Sequence, residues 1–182
     1  MPKTDNALEE AAQRGNRQAF SRIILREAPR QLRLAQRMLG SESAAEDAVQ
    51  EAFAAAWLAI GRYDPTRPFP AWMTRITLNK CRDIMRRDRV RRLFWLPAED
   101  SKVPVSASPD PEKVVDDRRQ LKIVEEAVAR LPAKLKEPLI LTAIEGHSYA
   151  GAAEILGVSR KTLEMRIYRA RQRLREALEK FS

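Results

Sequence analysis

The stretch Ser148-Tyr-Ala-Gly-Ala-Ala-Glu-Ile-Leu-Gly-Val-Ser159 decides the fold of the C-terminal part of this chain. Its spacing predicts a short helix that ends at Leu156, a tight turn at Gly157 and Val158, and a serine that caps a following helix. Two helices joined by a short, glycine-containing turn have the plan of a helix-turn-helix, whose second helix enters the DNA major groove. The stretch therefore predicts a helix-turn-helix.

The helix that begins after Ser159 has one apolar face and one basic surface. Leu163, Ile167, Ala170 and Leu174 recur at helical spacing and form the stripe expected to be buried. A basic coiled coil or a membrane-surface helix is the alternative, but the preceding turn and serine cap favour DNA binding. The candidate DNA-contacting residues are Arg160, Lys161, Thr162, Met165, Arg166, Tyr168, Arg169 and Gln172.

A second basic stripe lies in the N-terminal half, on the helix that begins at Phe69-Pro70. Such a stripe can track phosphates while an amide or an aromatic ring contacts a base. An ordinary solvated face is the alternative, but only Asp83 and Asp88 are acidic between Arg75 and Arg92, which favours nucleic-acid contact. Steps of four and three residues align its members, which are Arg75, Asn79, Arg82, Arg86 and Arg89, flanked by Lys80 and Arg87 and bordered by Trp72.

The helices before this stripe are predicted from caps and apolar spacing. Asn16 is a good N-cap, Pro29 is expected to separate two segments by a bend, and Ser43-Ala-Ala-Glu46 has the spacing of a capping box. On spacing alone, three polar side chains of this helix are interpreted as groups that cap its start or face solvent. They belong to Asp47, Gln50 and Glu51. The apolar residues expected inward on the same helix are Val49, Phe53, Trp57 (or Ala56) and Ile60.

The composition indicates a polyanionic partner. Lys and Arg total 34 against 25 Asp and Glu, for a formal charge of +9, which favours a nucleic acid or an anionic membrane surface. Cys81 is the only cysteine and His147 the only histidine, so neither a structural disulfide nor a metal site is expected, and no cofactor is predicted. No signal peptide or membrane span is evident, which predicts a soluble, cytoplasmic protein.

Helical spacing dominates the chain and strand-like alternation is hard to find, so the predicted fold class is all-α. The stretch from Pro97 to Pro111 contains four of the 11 prolines and few large apolar residues. It cannot bury enough surface to offset the entropy of ordering. We therefore predict two small helical domains, 1–92 and 120–182, joined by a flexible linker at 93–119, with the helix-turn-helix in the second domain.

Three blocks of sequence follow one another across this linker. They are Ala45-Glu-Asp-Ala-Val-Gln-Glu-Ala-Phe53 with Trp57; Phe69-Pro-Ala-Trp-Met-Thr-Arg-Ile-Thr-Leu-Asn79 with Asp83 and Arg86-Arg87; and Leu131-Pro132 with Glu145-Gly-His-Ser-Tyr149, Leu156-Gly-Val-Ser159 and Arg166-Ile-Tyr-Arg-Ala-Arg171. In this order and at this separation, the blocks resemble those of the extracytoplasmic-function sigma factors of bacterial RNA polymerase. The resemblance covers nearly the whole chain.

The resemblance implies a transcription initiation factor that binds core RNA polymerase, promoter DNA and an anti-sigma factor, with no catalytic residues of its own. It implies polymerase docking by Asp47, Gln50, Glu51, Phe53 and Trp57 in place of the capping role. The loop 61–70 would hold a base flipped from the minus-ten element, and the helix after Ser159 would read the minus-thirty-five element. The residues implied for the minus-ten element are Tyr63, Phe69, Trp72, Arg75, Asn79, Lys80, Arg82 and Arg86.

Two other functions fit parts of the sequence. A stand-alone helix-turn-helix regulator would leave the cluster of Asp47, Gln50 and Glu51 without a role. An enzyme acting on nucleic acid would need clustered carboxylates or a His or Cys site, and none is evident. Three departures from the family pattern concern the second domain. Gly151-Ala-Ala153 predicts a thinner first helix, Pro138 predicts a kink, and Glu164 and Met165 occupy positions where family members often carry small or basic residues.

Overall fold

Helices and helical turns account for every regular element within residues 7–94, 123–124 and 126–179, which are the residues that this computed structural model describes. The chain divides into two units between Phe94 and Trp95, and the all-α prediction is confirmed. The predicted linker at 93–119 and the boundary at 120 lie largely outside the described residues, so the domain limits stay predictions. None of the described helices is long and apolar enough to span a membrane.

The first unit is built from helices whose ends follow local rules. The side-chain oxygen of Asn16 accepts a hydrogen bond from the N–H of Ala19 at 3.0 Å, which confirms the predicted cap. The next helix boundary is at Gly40, whose φ of +69° lies in the left-handed region that favours glycine. The elements are α1 (Ala7–Gln13), α2 (Arg17–Leu39), α3 (Glu42–Ala59), a 3₁₀ turn (Ile60–Arg62) and α4 (Phe69–Phe94).

Two local predictions for this unit are wrong. Pro29 does not separate two segments, because buried side chains before and after it, such as Ile23 and Leu34, hold α2 as one helix against the core. The N-cap of α3 is Ser41 and not Ser43: the hydroxyl of Ser41 accepts from the N–H of Ala44 at 3.4 Å. Glu46 therefore lies in the second turn of α3, beyond the position where a capping box has its acid.

Small side chains allow α3 to lie close to its neighbours. Ala45, Ala48, Ala52 and Ala56 recur every three or four residues and are fully buried. Because the distance between packed helices depends on the side chains at the contact, this alanine face brings the backbone of α3 close to α2 and α4. The polar residues on the flank of α3 are thereby brought within reach of the basic residues of α4.

The second unit supports the helix-turn-helix on a small apolar core. The chain is helical at 126–129, and it continues through α5 (Ala133–Leu139), a wider helical turn (Ile140–Ile144), α6 (Tyr149–Leu156) and α7 (Arg160–Glu179). Ala152 and Ala153 are buried in α6, so its small side chains serve close packing. The apolar residues that meet in the core between α5 and α7 are Val128, Leu131, Leu135, Leu139, Ala170 and Leu174.

The helix does not break at Pro138, since α5 runs through it to Leu139. The irregularity lies just after it, in the wider turn. There the N–H of Glu145 bonds to the carbonyl of Ile140 at 2.9 Å, five residues back instead of four. Pro138, Leu139 and Ile140 are all buried, and this burial holds the segment in place around the proline.

Candidate nucleic-acid interface and docking groove

The turn between α6 and α7 is shaped by one glycine and one serine. Gly157 ends α6 with a φ of +65°, and the N–H of Val158 bonds to the carbonyl of Ala153 at 3.0 Å. Ser159 then caps α7, and its hydroxyl accepts from the N–H of Thr162 at 3.1 Å. The predicted helix-turn-helix is confirmed, and local hydrogen bonds fix the facing ends of its two helices.

α7 presents a polar and basic surface opposite its apolar stripe. Leu163, Ile167 and Ala170 are buried, whereas the side chains of Met165 and Tyr168 are 46% and 58% exposed. The candidate DNA-contacting residues predicted on this helix are exposed, apart from one arginine that is half-buried. The exposed ones are Arg160, Lys161, Thr162, Met165, Tyr168, Arg169 and Gln172, and the half-buried one is Arg166.

Two side-chain contacts order this surface of α7. The amide nitrogen of Gln172 donates to the hydroxyl of Tyr168 at 3.0 Å. Arg160 forms an ion pair with Glu164 at 2.9 Å, so the acid on this surface compensates the first arginine of the helix. Lys161 and Arg169 stay exposed, and a major groove of ~12 Å width admits a helix that carries such groups.

The basic stripe predicted on α4 is displayed at the surface of the first unit. Arg75, Asn79 and Arg86 are exposed, and Arg82 is half-buried. Arg82 donates to the amide oxygen of Asn79 at 2.7 Å, which orients the amide. Arg86 pairs with Asp83 at 2.9 Å. The stripe therefore holds one oriented amide between guanidinium groups, a suitable arrangement for contacting a base and the phosphates next to it.

Three aromatic rings pack together where the loop after the 3₁₀ turn meets α4. The centroids of Tyr63, Phe69 and Trp72 lie 5.2 to 5.3 Å apart. Tyr63 and Phe69 are only 3% and 1% exposed, and Trp72 is half-buried. Burial, reinforced by the charge of Glu9, raises the pKa of Tyr63 to about 12, and its hydroxyl donates to the carbonyl of Arg67 at 2.5 Å. Tyr63 and Phe69, predicted as DNA contacts, instead form the inner support of the loop.

α1 holds this loop through a side chain that the sequence did not single out. The amide nitrogen of Gln13 donates to the carbonyl of Ile60 at 3.2 Å and to that of Tyr63 at 2.7 Å. Glu9 lies one turn earlier on the same face of α1. This spacing occurs on many helices, so the sequence contained no signal that distinguished these two residues.

Arg26 of α2 joins the same loop to two buried acids. Its guanidinium pairs with Glu9 at 2.5 Å and with Glu27 at 3.0 Å. It also lies 5.9 Å from the centroid of the Phe69 ring, within the range of a cation–π contact. α1, α2 and the start of α4 are therefore connected around the loop by polar contacts.

A groove of about 310 Å³ lies between α3 and α4. Asp47, Gln50 and Glu51 line its α3 side together, so the structure brings the three polar candidates into one surface. The only acid in the first turn of α3 is Glu42, and the capping interpretation of the three residues is wrong. The residues that line the α4 side are Ile84, Arg87, Asp88 and Arg91.

Glu51 forms ion pairs with two residues of the basic helix. One carboxylate oxygen is 3.4 Å from Nζ of Lys80, and the other is 3.3 Å from Nη2 of Arg87. The hydrogen bond from Arg87, helped by that from Lys80, holds the pKa of the Glu51 carboxyl below its ordinary value. An acid predicted for docking thus contacts a lysine predicted for DNA binding.

The two aromatic residues predicted for docking lie apart from the groove lining. Phe53 is buried in the core of the unit, where it packs and cannot contact a partner, so its predicted docking contact is corrected. Trp57 is half-buried, and its ring centroid is 5.0 Å from that of Phe20. The apolar spacing of α3 predicts both residues on its inward side, so their burial agrees with the spacing, whereas the docking contact is implied only by the family resemblance.

Comparison with known proteins gives matches in both units. Residues 23–91 match the family described as Sigma-70 region 2, and residues 121–174 match Sigma-70, region 4. The RNA polymerase sigma factor CnrH of Cupriavidus metallidurans is 36% identical over 180 residues, which cover 96% of this chain and 94% of CnrH. The ECF RNA polymerase sigma factor SigW of Bacillus subtilis is 30% identical over 91% of each protein.

Solved structures of similar proteins extend the comparison to the fold. CnrH in complex with the cytosolic domain of CnrY has a TM-score of 0.69 at 35% identity and covers 98% of this chain and 99% of that chain. The sigma factor RpoE in complex with the anti-sigma factor NepR from Bartonella quintana has a TM-score of 0.65 at 27% identity. That match covers 88% of this chain and 96% of the solved one.

Proposed function

The chain belongs to the extracytoplasmic-function sigma factors of bacterial RNA polymerase, and on that premise we propose how its surfaces divide the work of directing the polymerase to promoters. Sigma factors in general are not enzymes, and we propose that this chain likewise acts by binding alone, in the cytoplasm. The proposed division is a domain at 1–92, a linker at 93–119 and a domain at 120–182.

The α3 side of the groove is the proposed docking site for core RNA polymerase. Asp47 and Gln50 are exposed there and Glu51 is half-buried, so two carboxylates and an amide lie within about one helical turn. These are the residues to which the family resemblance assigns docking on the clamp helices of the largest polymerase subunit. Trp57 is half-buried outside the groove lining and stays a proposed docking residue, whereas Phe53 supports α3 from the core.

α4 and the loop 61–70 are the proposed binding site for the minus-ten element as a single strand. The loop would hold one flipped base, and flipping costs roughly a few kcal/mol of stacking. A loop that is already fixed by buried rings and by Gln13 needs little further ordering when the base arrives. The residues proposed to contact this strand are Trp72, Arg75, Asn79, Lys80, Arg82 and Arg86, with Tyr63 and Phe69 as internal supports.

α7 is the proposed reader of the minus-thirty-five element as duplex DNA. Lys161, Met165, Tyr168 and Arg169 are exposed on one surface of the helix that follows the turn, where the second helix of this motif contacts base edges. Arg160, Thr162, Arg166 and Gln172 complete the proposed contact set. The linker at 93–119 would connect the two domains along the path toward the RNA exit channel, as the resemblance implies.

An anti-sigma factor is the proposed negative regulator. CnrH has been solved with the cytosolic domain of CnrY, and RpoE has been solved with the anti-sigma factor NepR. By similarity to both, this chain is proposed to bind an anti-sigma partner that covers the docking and DNA surfaces until it is released.

The observation that carries this proposal is that the acidic groove residues and the basic stripe lie on adjacent helices of one unit. The test is reconstitution of the holoenzyme with Asp47→Lys. Like charges at an interface are strongly unfavourable, so core polymerase binding should fall by at least roughly tenfold. Glu46→Lys makes the same charge change at the preceding, exposed position outside the groove lining and should keep binding and promoter-selective transcription.

Equal binding by Asp47→Lys and wild type, with the helical content of both unchanged, would contradict the docking site. Tight, sequence-specific promoter binding by the chain without polymerase would instead favour a stand-alone regulator.

A further inference from the structure

An arginine-rich face of α2 is not used by any surface described so far. α2 contains six arginines and a single acid, Glu27. At about 100° per residue, five of the six project within an arc of about 80°, and the only other residue in that arc is the buried Ala19. Arg17 lies outside the arc. We call this set the arginine face, and its members are Arg22, Arg26, Arg30, Arg33 and Arg37.

The charge of this face is only partly compensated within the protein, where Arg30 and Arg37 as well as Arg26 have contacts. Like charges three or four residues apart on a helix repel each other, and the arginine face contains such neighbours from one end to the other. Arg26 is compensated by Glu9 and Glu27. Within the described residues of the first unit, Arg22 and Arg33 are without an acidic partner. An external anion would therefore find uncompensated charge at both positions.

Arg26 fixes where this face lies relative to the loop 61–70. Its guanidinium is 5.9 Å from the Phe69 ring, and it pairs with Glu9 on α1, the helix whose Gln13 holds the loop. Arg22 and Arg33 flank Arg26 along α2 and are about 16 Å apart along the helix axis. A single strand spans that distance with a few nucleotides, since a strand stacked as in a duplex rises about 3.4 Å per nucleotide and an extended strand rises more. The arginine face therefore lies beside the loop at Arg26, and it extends from there along α2 over the length of several nucleotides.

We propose that the arginine face binds the phosphates of the promoter strand adjacent to the base held by the loop 61–70. This rests on the proposed function, in which that loop holds a base of the minus-ten element. A row of guanidinium groups suits a linear polyanion, because each group can contact a phosphate with two parallel hydrogen bonds. Phosphates recur at regular intervals along a nucleic-acid strand, as the arginines of this face do along α2. A nucleic acid is therefore the better fit than an acidic protein.

The experiment compares promoter binding by reconstituted holoenzymes over a range of salt concentrations. In Arg22→Gln/Arg33→Gln, the slope of log K against log salt should become shallower by roughly 1.4 to 1.8, because each lost phosphate contact removes about 0.7 to 0.9. Promoter affinity at low salt should fall several-fold. The matched control is Arg14→Gln/Arg17→Gln, which removes the same charge at two exposed positions off the arginine face and should keep the wild-type slope.

A wild-type slope in Arg22→Gln/Arg33→Gln, or an equal change of slope in the control, would overturn the proposal. Loss of core polymerase binding with an unchanged slope would also overturn it, and would assign the face to an acidic protein surface.

Thermal unfolding should show no loss of stability, because the substitutions relieve repulsion. Fluorescence of a base analogue at the minus-ten position in wild-type holoenzyme tests the proposed function separately. If that base is flipped while the slope is unaffected, only the arginine-face proposal fails.

Discussion

Arg87 on α4 donates a hydrogen bond to the carboxylate of Glu51 on α3 at 3.3 Å, across 36 positions of the chain. The same carboxylate lies 3.4 Å from Lys80, which is proposed to contact the minus-ten strand. Glu51 is itself proposed to contact the polymerase. One acid is therefore shared between two binding surfaces. A polymerase group that binds Glu51 would leave the positive charges of Lys80 and Arg87 less compensated, so that they would attract DNA phosphates more strongly.

Glu51→Gln tests the strength of this shared contact in the free protein. The pair is partly exposed, so the loss in unfolding free energy at neutral pH should be less than about 1 kcal/mol. The folded-state pKa of Glu51 is lowered, so its contribution is present above the ordinary carboxyl pKa and is lost as pH falls through the lowered value. Denaturant unfolding of both proteins at neutral and acidic pH measures this. A difference that persisted in acid would argue against the ion pairs.

Gln13→Met should loosen the loop 61–70. It removes the amide that donates to the carbonyls of Ile60 and Tyr63, with a cost of about 1 kcal/mol in unfolding free energy. In the holoenzyme, the fluorescence change of a base analogue at the flipped position should decrease, while core polymerase binding should be retained. Gln18→Met is the matched control, since Gln18 is exposed on α2. A full fluorescence change in Gln13→Met would show that the loop does not need this support.

Ser159→Ala should weaken minus-thirty-five binding through the start of α7. The substitution removes the cap that accepts from Thr162, at a cost of about 1 kcal/mol. The first turn, which contains Lys161, should then fray. Ser148→Ala is the control because it removes the equivalent cap of α6, where the hydroxyl accepts from Gly151 at 3.1 Å. Thermal unfolding should show similar losses for both variants, and duplex binding should fall more for Ser159→Ala. A larger binding loss in the control would contradict this assignment of surfaces.

Lys136 should give the second unit a stability that increases in alkaline solution. The residue is only 4% exposed, its Nζ donates to the carbonyl of Ala129 at 2.8 Å, and burial lowers its pKa. Between the lowered folded-state pKa and the ordinary value near 10.5, the unfolded chain binds more protons, so stability rises with pH across that interval. Lys136→Met lacks this titration, and its unfolding free energy should show a smaller rise. Parallel pH profiles of the two proteins would contradict the inference.

Some elements of the structure could be predicted because they depend on neighbours a few residues away. The cap at Asn16, the left-handed Gly157 and the cap at Ser159 are examples, since each satisfies backbone groups of its own helix end. The choice between Ser41 and Ser43 was missed because two serines near one helix start offer similar local signals. In the structure α3 begins one residue after Ser41, and its alanine face is buried from Ala45 onward.

The sequence by itself determined the all-α class, the helix-turn-helix, the surface that α7 presents and the family resemblance, because helical period and caps are short-range properties. Only the tertiary structure decided that Tyr63 and Phe69 turn inward and that Glu51 meets Arg87. It also decided that Gln13 holds a loop 50 residues away. The physical reason is that period determines which residues share a face, whereas exposure and pairing depend on which helix packs against that face.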